Sequence, residues 1–368
     1  IFSPYSVINM KSDILLIEYM KKEYAILKKL IEKSNNILLL SHKGPDFDAF
    51  ASCLILKNFI NTFYPKKNVV FKSRQSPTQK LPFMDQITIS QGLNTENEDL
   101  VIIMDAGGWD ICVQKEDTIQ LTSAKIAVVD HHQTKGLNAD VVINDKMSST
   151  TEQILDFCMS IKGKQYVITP DISTLGQIGI VYDTGRFAYD NTTPQTYELM
   201  AKLRRVYPLD LEEFEYKSSK FPQETLLPIK VYIQNIQIVG DMAYTYINKS
   251  DINNLKLSKI GINAAQRFVR DSIIRYIQGV HWGFIVKPSF RIENEWIVSL
   301  RSSKGYQDVA IIAEGLNGGG HQDASASKVT ANDGDQAVKI VLDSIEKLSK
   351  GVTSSSQNTP SPTQQPST

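Results

Sequence analysis

The chain has 368 residues, 42% hydrophobic and 22% charged, enough to bury more than one core. Lys+Arg and Asp+Glu number 40 each, so the formal net charge is zero and no global positive field is present to hold a long duplex or an anionic membrane. Three scattered cysteines make neither a disulfide framework nor a zinc-finger spacing, no run approaches the roughly 18 apolar residues of a membrane span, and no signal-peptide pattern opens the chain, so a cytoplasmic, non-membrane protein is expected.

Residues 14–31 carry Leu16, Met20, Tyr24, Leu27, Leu30 and Ile31 at helical spacing and predict an amphipathic helix. A strand at 37–41 follows, then a crossover helix at 49–59 and a strand at 69–72. Short strands at 87–89, 100–104, 126–129 and 141–143 continue in βαβ order, which predicts a parallel sheet with right-handed crossovers. Ser149-Thr150-Thr151-Glu152 has capping-box spacing and predicts a helix start. Residues 170–182 read as a helix running into Asp183-Thr184-Gly185-Arg186-Phe187, and Thr193-Pro194 as the cap and first residue of the next. Residues 207–228 are charged and punctuated by proline, which marks a boundary. Beyond it, strands are expected at 229–233, 242–247, 282–287 and 296–300, and helices at 262–279, 308–316 and 336–348. A Ser/Thr/Pro/Gln-rich tail, 351–368, cannot bury a core and is expected to be disordered.

Three of the predicted strands end in chemistry. The first runs into His42-Lys43-Gly44-Pro45-Asp46-Phe47-Asp48, the second into Asp105, the third into Asp130-His131-His132-Gln133-Thr134. One Asp after a strand is ordinarily a turn residue or a helix cap. Here three of the chain's five histidines share these ends, which neither a solvated nor a core role predicts. Carboxylates and imidazoles without cysteine suit Mn²⁺, Mg²⁺, Fe²⁺ or Zn²⁺, and the excess of Asp favours Mn²⁺ or Mg²⁺.

Taken in order, Ser41 to Ala49, Asp105, Asp130-His131-His132 and Asp183-Thr184-Gly185 resemble the four motifs of the DHH phosphoesterases. Gly318-Gly319-Gly320-His321, following Val298 to Ser303, resembles the glycine-rich signature of the DHH-associated C-terminal domain. The resemblance spans about residues 35–330. It implies an α/β fold with an N-terminal parallel-sheet DHH domain, a smaller mixed α/β C-terminal domain and the active site in the cleft between them. The corresponding division is a catalytic domain at 11–206, a linker at 207–228, a substrate-binding domain at 229–350 and the tail. Two Mn²⁺ ions are implied, with Mg²⁺ or another divalent ion as the alternative. His42 and Asp46 would bind one, Asp48, His131 and Asp183 the other, and Asp105 would bridge them. His132 is the candidate general acid or phosphate contact, with Asp130 orienting a ligand histidine. Arg301 would grip a terminal phosphate with help from Ser303 and Lys304. Gly318, Gly319 and Gly320 would bare backbone amides to phosphate, and His321 would stack or hydrogen-bond. Arg186 faces either the cleft or solvent.

The implied activity is that of the nanoRNase/pAp phosphatases: hydrolysis of very short RNA oligonucleotides such as pApA to mononucleotides, and removal of the 3′-phosphate from pAp. A cyclic-di-AMP phosphodiesterase is the nearest alternative, then a pyrophosphatase-type enzyme or a silent nucleotide-binding protein. A monomer or homodimer is implied. Three positions depart from the family pattern. Phe47 replaces a usual Gly and is expected to narrow the cleft or offer a base a stacking surface, Asn317 precedes three glycines where four are common, and Ala324-Ser325-Ala326 replaces Ala-Ala-Gly.

Overall fold

The computed structural model describes residues 21–77, 83–90, 97–113, 124–132, 138–218 and 220–355. The chain divides into two compact units, Ile1–Ser218 and Ser219–Thr368.

In the first unit α1 (Lys22–Lys33) leads into β1 (Asn36–Ser41), α2 (Phe47–Phe63), β2 (Asn68–Ser73), β3 (Thr88–Ile89), β4 (Leu100–Met104), α3 (Trp109–Cys112), β5 (Lys125–Val129) and β6 (Val141–Ile143). Helices α4 (Thr150–Lys162), α5 (Pro170–Asp183), α6 (Pro194–Val206) and α7 (Leu211–Ser218) complete it. The predicted first helix is confirmed from Lys22 onward; its opening turns, 14–20, lie outside the described residues, as do Gln133 and Thr134. The six strands are all parallel, in the order β3-β2-β1-β4-β5-β6. Strand direction alternates the side chains between two cores. Ile37, Leu39, Ile102, Met104 and Val129 face the large helical core, while Leu38, Leu40, Val101, Ile103 and Val128 face a second one with Cys112. Burial on both faces explains why these strands read as unbroken apolar runs. The strand order reverses between β1 and β4, and in such sheets the crevice outside those carboxyl ends receives ligands.

The second unit contains α8 (Leu226–Gln234), β7 (Gln237–Val239), β8 (Met242–Tyr246), α9 (Lys249–Asn254), α10 (Lys259–Ser272), β9 (Trp282–Pro288), β10 (Glu295–Ser302), α11 (Val309–Gly315), β11 (Gly319–His321), β12 (Ala324–Thr330) and α12 (Gly334–Ser355). Its mixed sheet runs β11-β12-β10-β9-β8-β7, with β8 and β9 parallel and the remaining neighbours antiparallel. One face packs on α8 and α10 through Ile229, Tyr232, Ile262, Ala265 and Ile285. The other packs on α11 and α12 through Phe284, Trp296, Leu300, Ile312 and Val341.

Several expectations need correction. The alternating Ile229-Lys230-Val231-Tyr232-Ile233 is helix, not strand: Ile229 and Tyr232 are buried one turn apart while Ile233 is 45% exposed, and the match to α10 overrides β propensity. β12 was not foreseen because its buried positions are filled by Ser325 and Ser327 before Val329, so no apolar alternation shows. Within 207–228, α7 packs Leu211 and Phe214, with Leu209, on the first core and belongs to the first unit. The last helix extends to Ser355, into the expected tail; residues 356–368 lie outside the described residues.

Candidate metal centre

Each strand end delivers its polar residues by a local device. Asp46 caps α2, its Oδ1 accepting from the amides of Asp48 and Ala49 at 3.1 Å, so the capping expected of a post-strand Asp is also what fixes this carboxylate. Asp105 follows β4 with φ +54°, a left-handed conformation Asp tolerates better than most residues, and its amide donates to Val129 O at 2.9 Å. Asp130 follows β5, its amide bonded to Ile143 O at 3.0 Å. Asp183 ends α5, where Asn191 Nδ2 donates to its carbonyl at 3.0 Å.

These devices bring six residues together. His42, Asp46 and Asp105 form one group of donor atoms, and Asp48, Asp105, His131 and Asp183 form another, the atoms of each group lying within 4.8 Å of one another. Asp105 is common to both, and its oxygens divide between them. Oδ2 is 3.8 Å from His42 Nε2, while Oδ1 is 3.5 Å from His131 Nε2. His42 Nε2 lies 3.7 Å from Asp46 Oδ1, and His131 Nε2 lies 4.0 Å from Asp48 Oδ2. Two ligands with bonds of roughly 2.0–2.2 Å to one ion stand roughly 3–4 Å apart, so these spacings suit shared coordination rather than direct hydrogen bonds. A third possible grouping joins Asp105 to both His131 and His132.

Burial makes the case sharper. Asp48 is fully buried and Asp105 nearly so. Asp48 accepts 2.8 Å bonds from the amides of Thr150 and Thr151 at the start of α4, where the helix dipole favours an anion. Charge-assisted bonds contribute about 1.5–3 kcal/mol each, which does not offset the several kcal/mol of desolvation together with repulsion from neighbouring carboxylates. The balance shows in the titration. Burial, then Asp183 and Asp105, push the Asp48 carboxyl well above its ordinary value; burial, then Asp105 and Asp46, do the same to Asp183. Burial also disfavours the charged imidazoles, but Asp46 and Asp105 push His42 up to about 9, and Asp105 with Asp130 push His132 up to about 11. For Asp46, burial is outweighed by His42 and the two capping amides, and its carboxyl falls below the ordinary range. The pocket is short of positive charge. His131 Nε2 and Asp183 Oδ2 are both buried and 2.8 Å apart, yet neither has a hydrogen-bond partner of acceptable geometry. Hard donors, excess negative charge and two orphaned lone-pair atoms fit a divalent cation.

His132 stands beside this set. Its Nδ1 is 2.9 Å from Asp130 Oδ1 and 3.4 Å from Asp105 Oδ1, and its side chain is 42% exposed. Arg186 is exposed. Phe47 is not a stacking surface: it is 2% exposed and packs edge-on against Tyr182 and Phe214.

Thr150 and Thr151 read from sequence first as helix-start residues, with a ligand contact by a hydroxyl as the lesser alternative; besides their amides, Thr150 Oγ1 donates to Asp105 Oδ1 at 3.2 Å. Ser149 does cap α4, accepting from the Glu152 amide at 3.1 Å, whereas the Glu152 carboxylate turns to Ser148 and Thr196 instead of closing a capping box. A pair of hydroxyl residues at a helix start was the available signal.

In the second unit, β-sheet register aligns His321, Ala324, Arg301 and Gly283 in one row across β11, β12, β10 and β9. Arg301 NH1 donates to Leu300 O at 2.8 Å, and Nε is 3.9 Å from Asp271 Oδ1. The Ser303 amide donates to His281 O at 2.7 Å. The glycine run is not a flexible turn. Gly319 to His321 pair with β12, and the Gly318 amide donates to Ala313 O at 2.7 Å, completing a C-terminal helix cap. Asn317 holds the left-handed position of that cap, φ +56°, which asparagine fills almost as well as the glycine usual there.

Known proteins resemble this chain in sequence and in fold. Residues 36–180 match the model of the DHH family, N-terminal domain. A Bacillus subtilis protein named bifunctional oligoribonuclease and PAP phosphatase NrnA is 26% identical over 88% of this chain and 97% of its own length. A Streptococcus mutans protein named as a probable enzyme of the same kind is 26% identical over 81% of this chain and 90% of its own. The crystal structure of an exopolyphosphatase-related protein from Bacteroides fragilis shares the fold, with a TM-score of 0.74 at 20% identity, covering 88% of this chain and 96% of that one. Residues 36–180 thus form a DHH-family N-terminal domain, and that family together with the relatives supports a metal-dependent hydrolase.

Proposed function

We propose that this protein hydrolyses the phosphodiester bonds of very short RNA oligonucleotides such as pApA, and removes the 3′-phosphate of pAp, using two divalent ions, Mn²⁺ before Mg²⁺. His42, Asp46, Asp48, Asp105, His131 and Asp183 would hold them. The observation that carries the reading is Asp105, one carboxylate whose two oxygens face two separate donor sets. The names of the relatives support the substrate class, and zero net charge suits a small anion gripped locally.

Bound divalent ions make a water molecule more acidic and neutralise phosphate charge. The chain's own residues do the rest. Asp105 keeps the two donor sets in register. Asp130 accepts from His132 Nδ1–H and fixes that imidazole, so that His132 can pass a proton to a departing oxygen. In the second unit Arg301 offers a bidentate contact to phosphate, with Ser303, the row containing His321, and Gly318 leading into the strand of Gly319 and Gly320 beside it. We assign metal-dependent chemistry to the unit ending at Ser218 and substrate recognition to the unit beginning at Ser219. A cytoplasmic location is supported by three buried free cysteines; among the described residues no helix is long and apolar enough to cross a membrane.

A product-resolved time course with Mn²⁺ tests the reading, with pApA, pAp, cyclic-di-AMP and pyrophosphate in equal mixture beside the Asp105→Asn variant. Consumption of pApA and pAp first, with an inert variant, is the expected result. Preferential loss of cyclic-di-AMP or pyrophosphate overturns the substrate assignment, and full turnover by the variant overturns the metal site.

A further inference from the structure

The residue that breaks the family pattern is also the one that ties the candidate metal centre to α7. Phe47 lies between Asp46 and Asp48 in sequence, at the first position of α2. Its ring meets Tyr182 at 5.2 Å between centroids and 69°, and Phe214 at 5.1 Å and 64°, both edge-on contacts of the favoured kind. Tyr182 immediately precedes Asp183, and Phe214 sits on α7, the last element before the boundary at Ser218. One buried ring therefore touches the carrier of Asp183 and is itself covalently flanked by two more of the candidate ligand carboxylates.

We propose that Phe47, Tyr182 and Phe214 form an aromatic brace that positions Asp46 and Asp183 for the divalent ions, making α7 a part of the metal centre's support. The proposal rests on the metal-centre reading above. Asp48 has its own anchors, the two α4 amides, so the brace acts chiefly on the two ligands that lack such anchors for both oxygens. Asp46 Oδ1 is engaged by capping amides, but those bonds fix it only relative to α2 itself. For Asp183, Oδ2 is among the buried atoms without a hydrogen-bond partner. The start of α2 and the end of α5 meet at this edge through the packing of Phe47 on Tyr182. A glycine at position 47 would leave that junction to other contacts; here the ring makes it and extends it to α7. These are positioning residues, since none of the three is among the candidate metal ligands.

The experiment measures Mn²⁺ binding to the full chain by titration calorimetry, at a temperature where each variant is folded. Phe47→Leu, Phe214→Leu and the double variant are compared with Phe59→Leu. Phe59 is equally buried on the same helix, twelve residues away, roughly 18 Å along its axis. Loss of an outer supporting group typically weakens metal affinity about 10–100-fold, so Phe47→Leu and Phe214→Leu are expected to raise the Mn²⁺ dissociation constant at least about tenfold. The double variant should show less than the product of the two, and the Phe59 control should change it less than about twofold. Phe214 is only half-buried, so its variant stays measurable even if Phe47→Leu folds poorly. Wild-type affinity in a folded Phe214→Leu, or an equal loss in the Phe59 control, overturns the brace. A wild-type chain that binds no divalent ion at all overturns the metal-centre reading instead, and the brace with it.

Discussion

The two units carry candidate site residues of opposite construction. In the first, side chains converge: carboxylates and imidazoles from β1, β4, β5 and α5 crowd into a buried space whose charge balance calls for a cation. In the second, the backbone converges. Gly318 and Gly320 are needed because the chain there runs so close to β12 that a Cβ on Gly318 would lie 2.3 Å from Ala326 O and one on Gly320 2.6 Å from Ala324 O, whereas a Cβ on Gly319 would meet nothing within 4 Å. A site of the first kind is sensitive to the charge of single atoms, and one of the second kind to the addition of single methyl groups. The first announces itself in residue types; the second announces only a glycine run.

The largest expected effect breaks the first construction. Asp105→Asn preserves shape but removes the shared charge, and turnover should fall by at least about 10³-fold, since a correctly held divalent ion supplies several kcal/mol of transition-state stabilisation. Steady-state kinetics with metal titration checks it, and a rate within tenfold of wild type would separate the carboxylate cluster from the chemistry. Next, His132→Ala should cost about 10²–10⁴-fold in kcat, the usual contribution of a positioned acid, while leaving metal affinity near wild type. A large loss of metal binding instead would move His132 among the ligands, as the third donor grouping allows.

The second construction is sharpened by methyl groups. Gly320→Ala, at φ +146° and against Ala324, should destabilise by about 1–3 kcal/mol and raise KM more than it lowers kcat. Asn317→Ala should cost about 1 kcal/mol and Asn317→Gly close to nothing, because only the left-handed cap distinguishes them. Denaturant unfolding of both variants gives the comparison directly.

The smallest effect is a pH dependence arising in the first unit. In chelator, His42 has a folded pKa raised from 6.5 to about 9, so its contribution to stability is complete below pH 6.5 and is lost as pH rises through about 9. Asp48 and Asp183, also raised, lose theirs in the same direction as pH climbs through their elevated values. The midpoint of thermal unfolding should therefore fall across that window without metal and flatten in saturating Mn²⁺, which supplies the positive charge the protons had provided. A profile unchanged by Mn²⁺ would show that the cluster and the ion are not linked.

Much of the first unit was legible in advance. β1, β4 and β5 are apolar on both faces and each stops abruptly at a carboxylate or imidazole, so strand, parallel pairing and site edge could all be read from residue type and position. Thr193 and Pro194 start α6 for the local reasons their sequence offers. The roles of Thr150, Thr151 and Phe47 were not legible. Thr150 meets Asp105 and Thr151 meets Asp48 across separations of 45 and 103 residues, and Phe47 meets Phe214 only because α7 folds back onto the first core.

Sequence alone determined that β1, β4 and β5 would be buried strands and which residues had the chemistry to hold a cation, because both are properties of local pattern and side-chain type. The tertiary structure decided that Asp105 turns its two oxygens to two donor sets, that 229–233 coils rather than pairs, and that Gly319 and Gly320 form a strand rather than a loop. Each of those depends on what a distant segment presents, and packing against a distant partner outweighs local preference wherever the two differ by only about 1 kcal/mol.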